Sequence, residues 1–168
     1  MTDSVDKDAC ELLDADHLAV KHLFVEYARL AYAADAGATD DRATIAGRIC
    51  DELTVHAQIE EEIFYPALRE AVPGAADVVA EARDEHQQAK LLIARIREAG
   101  GADDAVDQLV ADLARAVEDH VKEERDELFP KARSASRLDL AELGMQLKER
   151  QLQLIQQRTG TSARSGRP

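Results

Sequence analysis

Apolar residues recur every three or four positions over four long stretches of the chain, with charged residues between them. This spacing is the period of an amphipathic helix. Residues that end helices separate the stretches at Gly37, Pro73, Gly74, Gly100 and Gly101. We therefore predict four helices, over about 8–35, 39–71, 76–99 and 103–131. The short connections make neighbours antiparallel, so the pattern predicts an all-α, up-down-up-down four-helix bundle within residues 1–133.

A fifth amphipathic stretch follows the bundle, over residues 134–158. It has leucines at helical spacing, at Leu140, Leu143, Leu147 and Leu154. We predict an additional C-terminal helix that packs on an open face of the bundle; a dimer contact is the alternative interpretation of the same stripe. The last stretch, 159–168 (TGTSARSGRP), is polar and rich in small residues, and we predict a disordered tail there.

Composition supports a soluble, helical protein with one domain. The chain has 168 residues, of which only 4% are aromatic, and this length suffices to bury a core without disulfides.

A formal net charge of −13 would repel phosphate backbones and anionic lipids, so we expect neither nucleic acid nor membrane as a partner. Two cysteines, an acidic N-terminal stretch and no long apolar run favour the cytoplasm. We predict a monomer or a weak homodimer.

One short pattern occurs twice in the chain. HAQIEEEIFYP begins at residue 56 and HVKEERDELFP begins at residue 120. Both copies have a His, a Glu four places later, and an aromatic residue followed by Pro at the end, and a further His precedes each copy. The residues of interest are His17, His56, Glu60, His86, His120 and Glu124. Because proline has no amide donor, Pro66 and Pro130 are expected to kink or end their helices.

These six residues lie on the apolar stripes of four different helices, so we expect all of them to face the core. Burying the two carboxylates without compensating charge would cost several kcal/mol each. Two cations would offset that cost, and mixed imidazole and carboxylate donors suit iron, manganese or zinc. Both carboxylates can bridge metals about 3.5–4 Å apart. The alternative interpretation is a structural helical interaction module, with His–Glu pairs at ordinary helical spacing and no metal.

The arrangement resembles the hemerythrin-like, HHE cation-binding domains. Their pattern is a His on helix one, HxxxE on helix two, a His on helix three and HxxxE on helix four. The resemblance covers about residues 8–133 and rests on LDADHLAVKHLF, TVHAQIEEEIFYP, DEHQQAK and DHVKEERDELFP. It implies a non-haem di-iron centre, with two iron ions under an oxo or hydroxo bridge, held by the six residues above. It also implies that oxygen or a related small molecule binds there.

Two positions depart from the pattern of the oxygen-carrying hemerythrins. Carriers have a second His four residues after the one on helix three, where this chain has Lys90. Their last carboxylate is an Asp five residues after its His, where this chain has Arg125, so Glu124 takes that place. Fewer His ligands predict a more open iron pair, and Lys90 is predicted to leave one iron under-ligated. Two placements of the Lys90 side chain stay open: it extends away from the site into solvent, or it reaches an anion bound to the iron.

Reversible oxygen carriage is therefore disfavoured. The resemblance instead implies a protein that binds or reacts with oxygen, peroxide or nitric oxide, or that senses iron or oxygen. A peroxide-degrading (catalase-like) or oxidase di-iron enzyme is the alternative. Ferritin-like storage lacks support, because no ExxH motif falls on facing stripes of this bundle.

Residues beside the six are predicted to have lesser roles. Tyr65 lies off the ideal stripe, and Pro66 could bend it inward as a wall residue or an auxiliary ligand. Glu61 and Glu62 rotate off the stripe and are expected in solvent. For the acidic residues that directly precede a His, surface charge is the expected role and support of an imidazole is the alternative: Asp16, Glu85 and Asp119.

Overall fold

The computed structural model describes residues 6–33 and 38–164, with side chains described as far as residue 160. Every regular element in this part of the chain is helical. The α-helices are α1 (Ala9–Tyr32), α2 (Ala38–Ile59), α3 (Tyr65–Ala71), α4 (Ala76–Ala99), α5 (Asp104–Glu123), α6 (Phe129–Ser134) and α7 (Leu140–Arg164). Two π-helical segments, Glu60–Phe64 and Glu124–Leu128, join α2 to α3 and α5 to α6 without a break. The bundle therefore has four long rods.

Side-chain caps fix where the rods begin. The Asp8 carboxylate accepts a hydrogen bond from the amide of Glu11, and the Glu11 carboxylate accepts one from the amide of Asp8. This reciprocal cap satisfies two amides that the first helical turn leaves unpaired. The Asp103 carboxylate caps α5 by accepting a single hydrogen bond from the amide of Val106, and Gly100 ends α4 at a positive φ of 65°. The predicted end of the first helix lies at residues 34–37, outside the described residues.

The prolines Pro66 and Pro130 do not end their helices. A helix end was one of the two outcomes expected from the sequence, and it is wrong. A proline ring inside an α-helix clashes with the carbonyl four residues before it. Here the preceding turn is π-helical, because the amide of Tyr65 bonds to the carbonyl of Glu60, five residues back. The amide of Phe129 bonds to the carbonyl of Glu124 in the same way. The wider turn accommodates the ring, so the chain continues as a helix past each proline.

The rods pack as a closed ring. α1 lies against α2, α2 against α4, α4 against α5, and α5 against α1. This ring of neighbouring rods, joined by few residues, confirms the predicted up-down-up-down four-helix bundle. α7 packs across α1 and α2 and also contacts the first π-helical segment. The fold is thus a four-helix bundle with an additional C-terminal helix over one face.

α7 extends further than the sequence predicts. It continues to Arg164, whereas a disordered tail was expected from residue 159 onward. The hydroxyl of Thr159 donates to the carbonyl of Gln156 at 3.0 Å, so this polar side chain turns back onto the helix. Arg158 forms an ion pair with Asp51 of α2, which holds this end of α7 against the bundle. Residues 165–168 of the predicted tail lie outside the described residues.

Two apolar clusters fill the bundle. The cluster under α7 includes Leu13, Phe64, Leu68, Leu128 and Leu147. The cluster at the other end includes Tyr27, Ile49, Cys50, Ile93 and Leu113. Each rod passes from one cluster to the other, and between them lies a layer of buried polar side chains.

Candidate metal centre

All six predicted site residues lie in this polar layer. The exposed fractions are 7% for His17, 5% for His56, 5% for His86 and 8% for His120. Glu60 and Glu124 are completely buried, each as the first residue of a π-helical segment. Four rods therefore bring four imidazoles and two carboxylates together in the middle of the core.

The four imidazoles face one another in two pairs. Nε2 of His17 lies 3.1 Å from Nε2 of His56, and Nε2 of His86 lies 3.0 Å from Nε2 of His120. Two nitrogens bound to one metal at a right angle, each about 2.0–2.1 Å from it, would lie about 2.9 Å apart. Each pair thus has the spacing of two neighbouring ligands of a single metal ion.

The two carboxylates lie between the pairs. Glu124 Oε1 is 2.6 Å from Nε2 of His120 and 3.4 Å from Nε2 of His17. Glu60 Oε1 contacts Nε2 of His56 and lies 3.9 Å from Nε2 of His86. Each carboxylate therefore reaches one imidazole from each pair, as a bridging ligand would.

All four oxygens of Glu60 and Glu124 are buried without a hydrogen bond of good geometry, although the imidazole nitrogens are close. A buried carboxylate in that state is strongly disfavoured unless a cation compensates it. The possible metal ligands among the described residues include two buried groups that share Glu60. The first group is His17, His56, Glu60 and Glu124. The second group is Glu60, His86 and His120. This donor set fits two adjacent cations.

In the absence of a cation, the carboxylates draw protons onto the imidazoles of His56 and His120. Burial by itself lowers the pKa of His120, but the charge of the nearby Glu124 carboxylate outweighs burial and raises that pKa to about 10. Burial also lowers the pKa of His56, and the charge of Glu60 outweighs it, so the pKa lies well above its usual range. Protons therefore occupy the positions that a metal would take, and metal binding must displace them.

Carboxylates also line the outer side of the imidazoles. In three of the four rings the outer nitrogen, Nδ1, faces a carboxylate oxygen. Nδ1 of His56 lies 3.2 Å from Asp16, Nδ1 of His86 lies 3.0 Å from Glu61, and Nδ1 of His120 lies 2.7 Å from Glu85. An Nδ1–H that donates to a carboxylate leaves the lone pair of Nε2 free to bind a metal. His17 differs, because its Nδ1 lies 3.5 Å from Asp14 and makes no hydrogen bond.

The sequence did not identify these supporting residues correctly. Glu61 was expected in solvent and this was wrong, since its carboxylate is half-buried against His86. Asp16 and Glu85 do support imidazoles, but each supports the imidazole of another helix and not the His that follows it in the chain. Asp119 is exposed on the surface of α5.

Tyr65 is a further buried residue of the layer. Its hydroxyl oxygen lies 3.2 Å from Nε2 of His86 and 3.4 Å from Nε2 of His120, on the metal-facing side of both rings. Burial and then the charges of Glu60 and Glu124 raise its pKa well above the usual range, so the phenol keeps its proton. The π turn bonds the amide of Tyr65 to the carbonyl of Glu60, five residues back, and so changes the face on which Tyr65 lies from the one that α-helical spacing predicts.

Lys90 and Arg125, the two departures from the oxygen carriers, both point outward. The Lys90 ammonium bonds both oxygens of Glu61, at 2.8 and 2.9 Å. Arg125 bonds Asp14 at 2.7 Å. Each cation thus binds a carboxylate beside a site imidazole and does not approach Glu60 or Glu124.

A small cavity of about 40 Å³ adjoins the imidazoles. A single water needs about 10–15 Å³ measured in this way, so the space admits a molecule of a few atoms. Apart from the four imidazoles, Thr54, Glu85 and Lys90, its lining is apolar: Leu53, Ala57, Ala89, Ile93, Ala116, Val117 and Val121.

Within residues 6–33 and 38–164, no helix has an apolar run of the length and hydropathy that crossing a membrane requires.

Comparison with known proteins places the fold and the family. The chain is 23% identical to a hemerythrin HHE cation-binding domain-containing protein of Mycobacterium kansasii, whose crystal structure superposes with a TM-score of 0.76 over 96% of this chain and 95% of that one. This likeness includes α7 and shows the fold. The chain is also 30% identical, over 136 residues, to a protein of Nostoc sp. named DNA nickase. That match covers 79% of this chain but only 36% of the relative.

The model of the hemerythrin HHE cation-binding domain matches residues 8–132, which are the four rods and their turns. The matched segment contains all six residues of the buried donor set. The chain therefore belongs to the hemerythrin HHE cation-binding domain family.

Proposed function

We propose that the chain is a non-haem di-iron protein that binds or reacts with a small oxidant such as oxygen, peroxide or nitric oxide. The observation that carries this proposal is the set of four buried carboxylate oxygens, none with a sound hydrogen bond, between two pairs of imidazoles. His17 and His56 would hold one ion and His86 and His120 the other. Glu60 and Glu124 would bridge the two.

An iron pair, when bound, supplies two one-electron steps and open positions for a ligand. The protein supplies the surroundings. The outer carboxylates fix the orientation of the rings, and the apolar cavity walls limit the access of water. The Tyr65 phenol places a proton beside His86 and His120, where a reacting oxygen atom would need one.

Reaction is favoured over storage of a stable oxygen adduct. The position that holds a second His in the carriers is Lys90, and its ammonium is engaged by Glu61. The pair formed by His86 and His120 therefore has no third His at the carrier position, and it has the Tyr65 phenol as a proton donor beside it. Peroxide consumption is the reaction that this arrangement supports best, and a sensor that binds nitric oxide or oxygen is the second candidate.

The acidic surface and the two buried, unpaired thiols support a cytoplasmic protein without a nucleic-acid partner. The relative named DNA nickase does not alter this proposal, because the chain spans 36% of that protein and its name refers to the whole.

The direct test is metal analysis of freshly purified protein together with an ultraviolet–visible spectrum. We expect about two irons per chain and an oxo-to-iron charge-transfer band. Glu60→Ala and His120→Ala should each lose iron and lower the melting temperature, because the free energy of metal binding is also folding free energy. Glu62→Ala is the matched control, since that neighbouring carboxylate lies at the surface and pairs with Arg150.

Full iron content in both site variants would contradict the ligand assignment. An iron-free protein whose melting temperature does not change with chelator would favour the structural module. Within the di-iron proposal, oxygen evolution from added peroxide indicates an enzyme, whereas a stable coloured adduct indicates a binder or sensor.

A further inference from the structure

Three residues of α4 contact one carboxylate-bearing residue of the first π-helical segment, Glu61. Arg83 donates to the backbone carbonyl of Glu61 at 3.2 Å. Nδ1 of His86 lies 3.0 Å from Glu61 Oε1, and the Lys90 ammonium bonds both carboxylate oxygens. The three residues are spaced three and four apart, so they share one face of α4.

The contact of Arg83 follows from the local backbone. In the π turn, the amide of Tyr65 bonds to Glu60 and not to Glu61. The next residue, Pro66, has no amide proton, so the carbonyl of Glu61 has no partner within the helix. The Arg83 guanidinium supplies the missing donor and fixes the backbone of Glu61 beside the buried Glu60.

The contact of Lys90 fixes the other end of the residue. A glutamate side chain has several rotatable bonds, and the side chain of Glu61 is 20% exposed, so His86 alone would not hold it in one rotamer. Lys90 binds both oxygens from the solvent side and leaves Oε1 also facing Nδ1 of His86. The orientation of the His86 ring therefore depends on Lys90 through Glu61.

We propose that Lys90 is a positioning residue for the metal position at His86 and His120, and that it acts through Glu61 on the imidazole of His86. This inference rests on the proposed metal centre. The oxygen carriers have a His at this place, and here an indirect contact replaces it. The Lys90–Glu61 ion pair is half-exposed, and such pairs contribute little to folding. Loss of Lys90 should therefore weaken metal binding and leave the fold intact.

The test uses Co(II) binding to the metal-free full-length protein, followed by d–d absorption and by competition with a chelator. The variants are Lys90→Met and the conservative Lys90→Arg. Lys122→Met is the matched control, since that lysine also pairs with a carboxylate, Asp126, but neither residue contacts a site imidazole. The melting temperature of each metal-free protein reports on folding.

We expect Lys90→Met to bind one of its two Co(II) ions about 3- to 10-fold more weakly, below the about 10- to 100-fold seen when a direct partner of a ligand is removed. The d–d bands of that ion should change, Lys90→Arg should restore most of the affinity, and Lys122→Met should match the wild type. Two bound ions with equal affinities and spectra in Lys90→Met and Lys122→Met would overturn this inference alone. Failure of the wild type to bind two ions would overturn the proposed centre and this inference with it.

Discussion

The two copies of the repeated pattern differ at one residue that faces the centre. Tyr65 ends the first copy and places its hydroxyl 3.2 Å from Nε2 of His86. Phe129 takes the corresponding place in the second copy and stacks on the His17 ring, with centroids 6.1 Å apart. One imidazole pair therefore has a buried phenol proton donor beside it, and the other has a hydrocarbon ring in the corresponding place.

Replacing Tyr65 with Phe tests this asymmetry. Because Phe129 already fills the matching position, Tyr65→Phe should fold and retain its metal. Peroxide consumption should fall by about 10²-fold, the lower end of the range for loss of a positioned proton donor. Metal content and the initial rate of peroxide loss are the measurements. Phe129→Leu serves as the control for packing, and an unchanged rate in Tyr65→Phe would show that the phenol takes no part in the reaction.

The imidazolium of His120 predicts how the metal-free protein responds to pH. Its pKa is raised to about 10 in the fold, whereas an unfolded His titrates near about 6.5. The stabilisation is therefore complete below about pH 6.5 and is lost as pH rises through about 10. We expect the melting temperature of chelator-treated protein to fall between about pH 7 and pH 10, and to fall less in His120→Gln. Equal slopes in the two proteins would exclude His120 as the source.

At the scale of the helices, α7 packs closely against the start of α1. A Cβ atom built on Gly144 would lie 2.5 Å from the carbonyl oxygen of Lys7, just before α1 begins. Only a glycine allows the backbones to approach to this distance. From this position α7 extends across the bundle, and Gln151 donates at 3.0 Å to Asp16, which faces Nδ1 of His56. The C-terminal helix therefore contributes to the orientation of a site imidazole.

Adding a methyl group at Gly144 should separate α7 from α1. We expect Gly144→Ala to lower the free energy of unfolding by about 1–3 kcal/mol, the usual cost of overpacking, as measured by urea denaturation. Gly47→Ala is the control, because its added Cβ meets no atom within 4 Å beyond the adjoining backbone of its own helix, and alanine favours the helix by about 0.5–1 kcal/mol. A Gly144→Ala variant as stable as Gly47→Ala would mean that α7 moves away without cost.

For the molecule as a whole, the dominant property is the formal net charge of −13. Among the described side chains, most positive groups pair with acids, as for Arg42 with Asp107 and Arg125 with Asp14. Binding to a polyanion requires unpaired cations that displace its counterions, and this composition opposes it.

We therefore expect the protein to leave DNA intact. A supercoiled plasmid incubated with the protein and Mg²⁺ at about 0.15 M salt should remain supercoiled, and gel retardation should be absent. Reductant is omitted because iron and a reductant cut DNA without specific binding. Conversion to the open circle that persists in Glu60→Ala would contradict the prediction and extend the activity named for the Nostoc protein to this chain.

Helical periodicity explains why so much of the centre was predictable. The face on which a residue lies depends only on its spacing from its neighbours, so the six donors, the four rods and the fifth helix follow from the local pattern. Burial of two carboxylates then implied compensating charge, whatever the detailed geometry. The α-helical period placed Tyr65 off the stripe, because the π turn before Pro66 shifts the register by one residue and that period does not apply there.

The supporting contacts depend instead on where rods cross. Asp16 stands next to His17 in the chain but supports His56, and Glu61 is held by Arg83 and Lys90 of another helix. Such contacts require the relative height and rotation of two rods, which core packing sets and no local spacing encodes. The amino-acid order thus fixed which side chains enter the core, while the packed bundle decided which neighbours orient them.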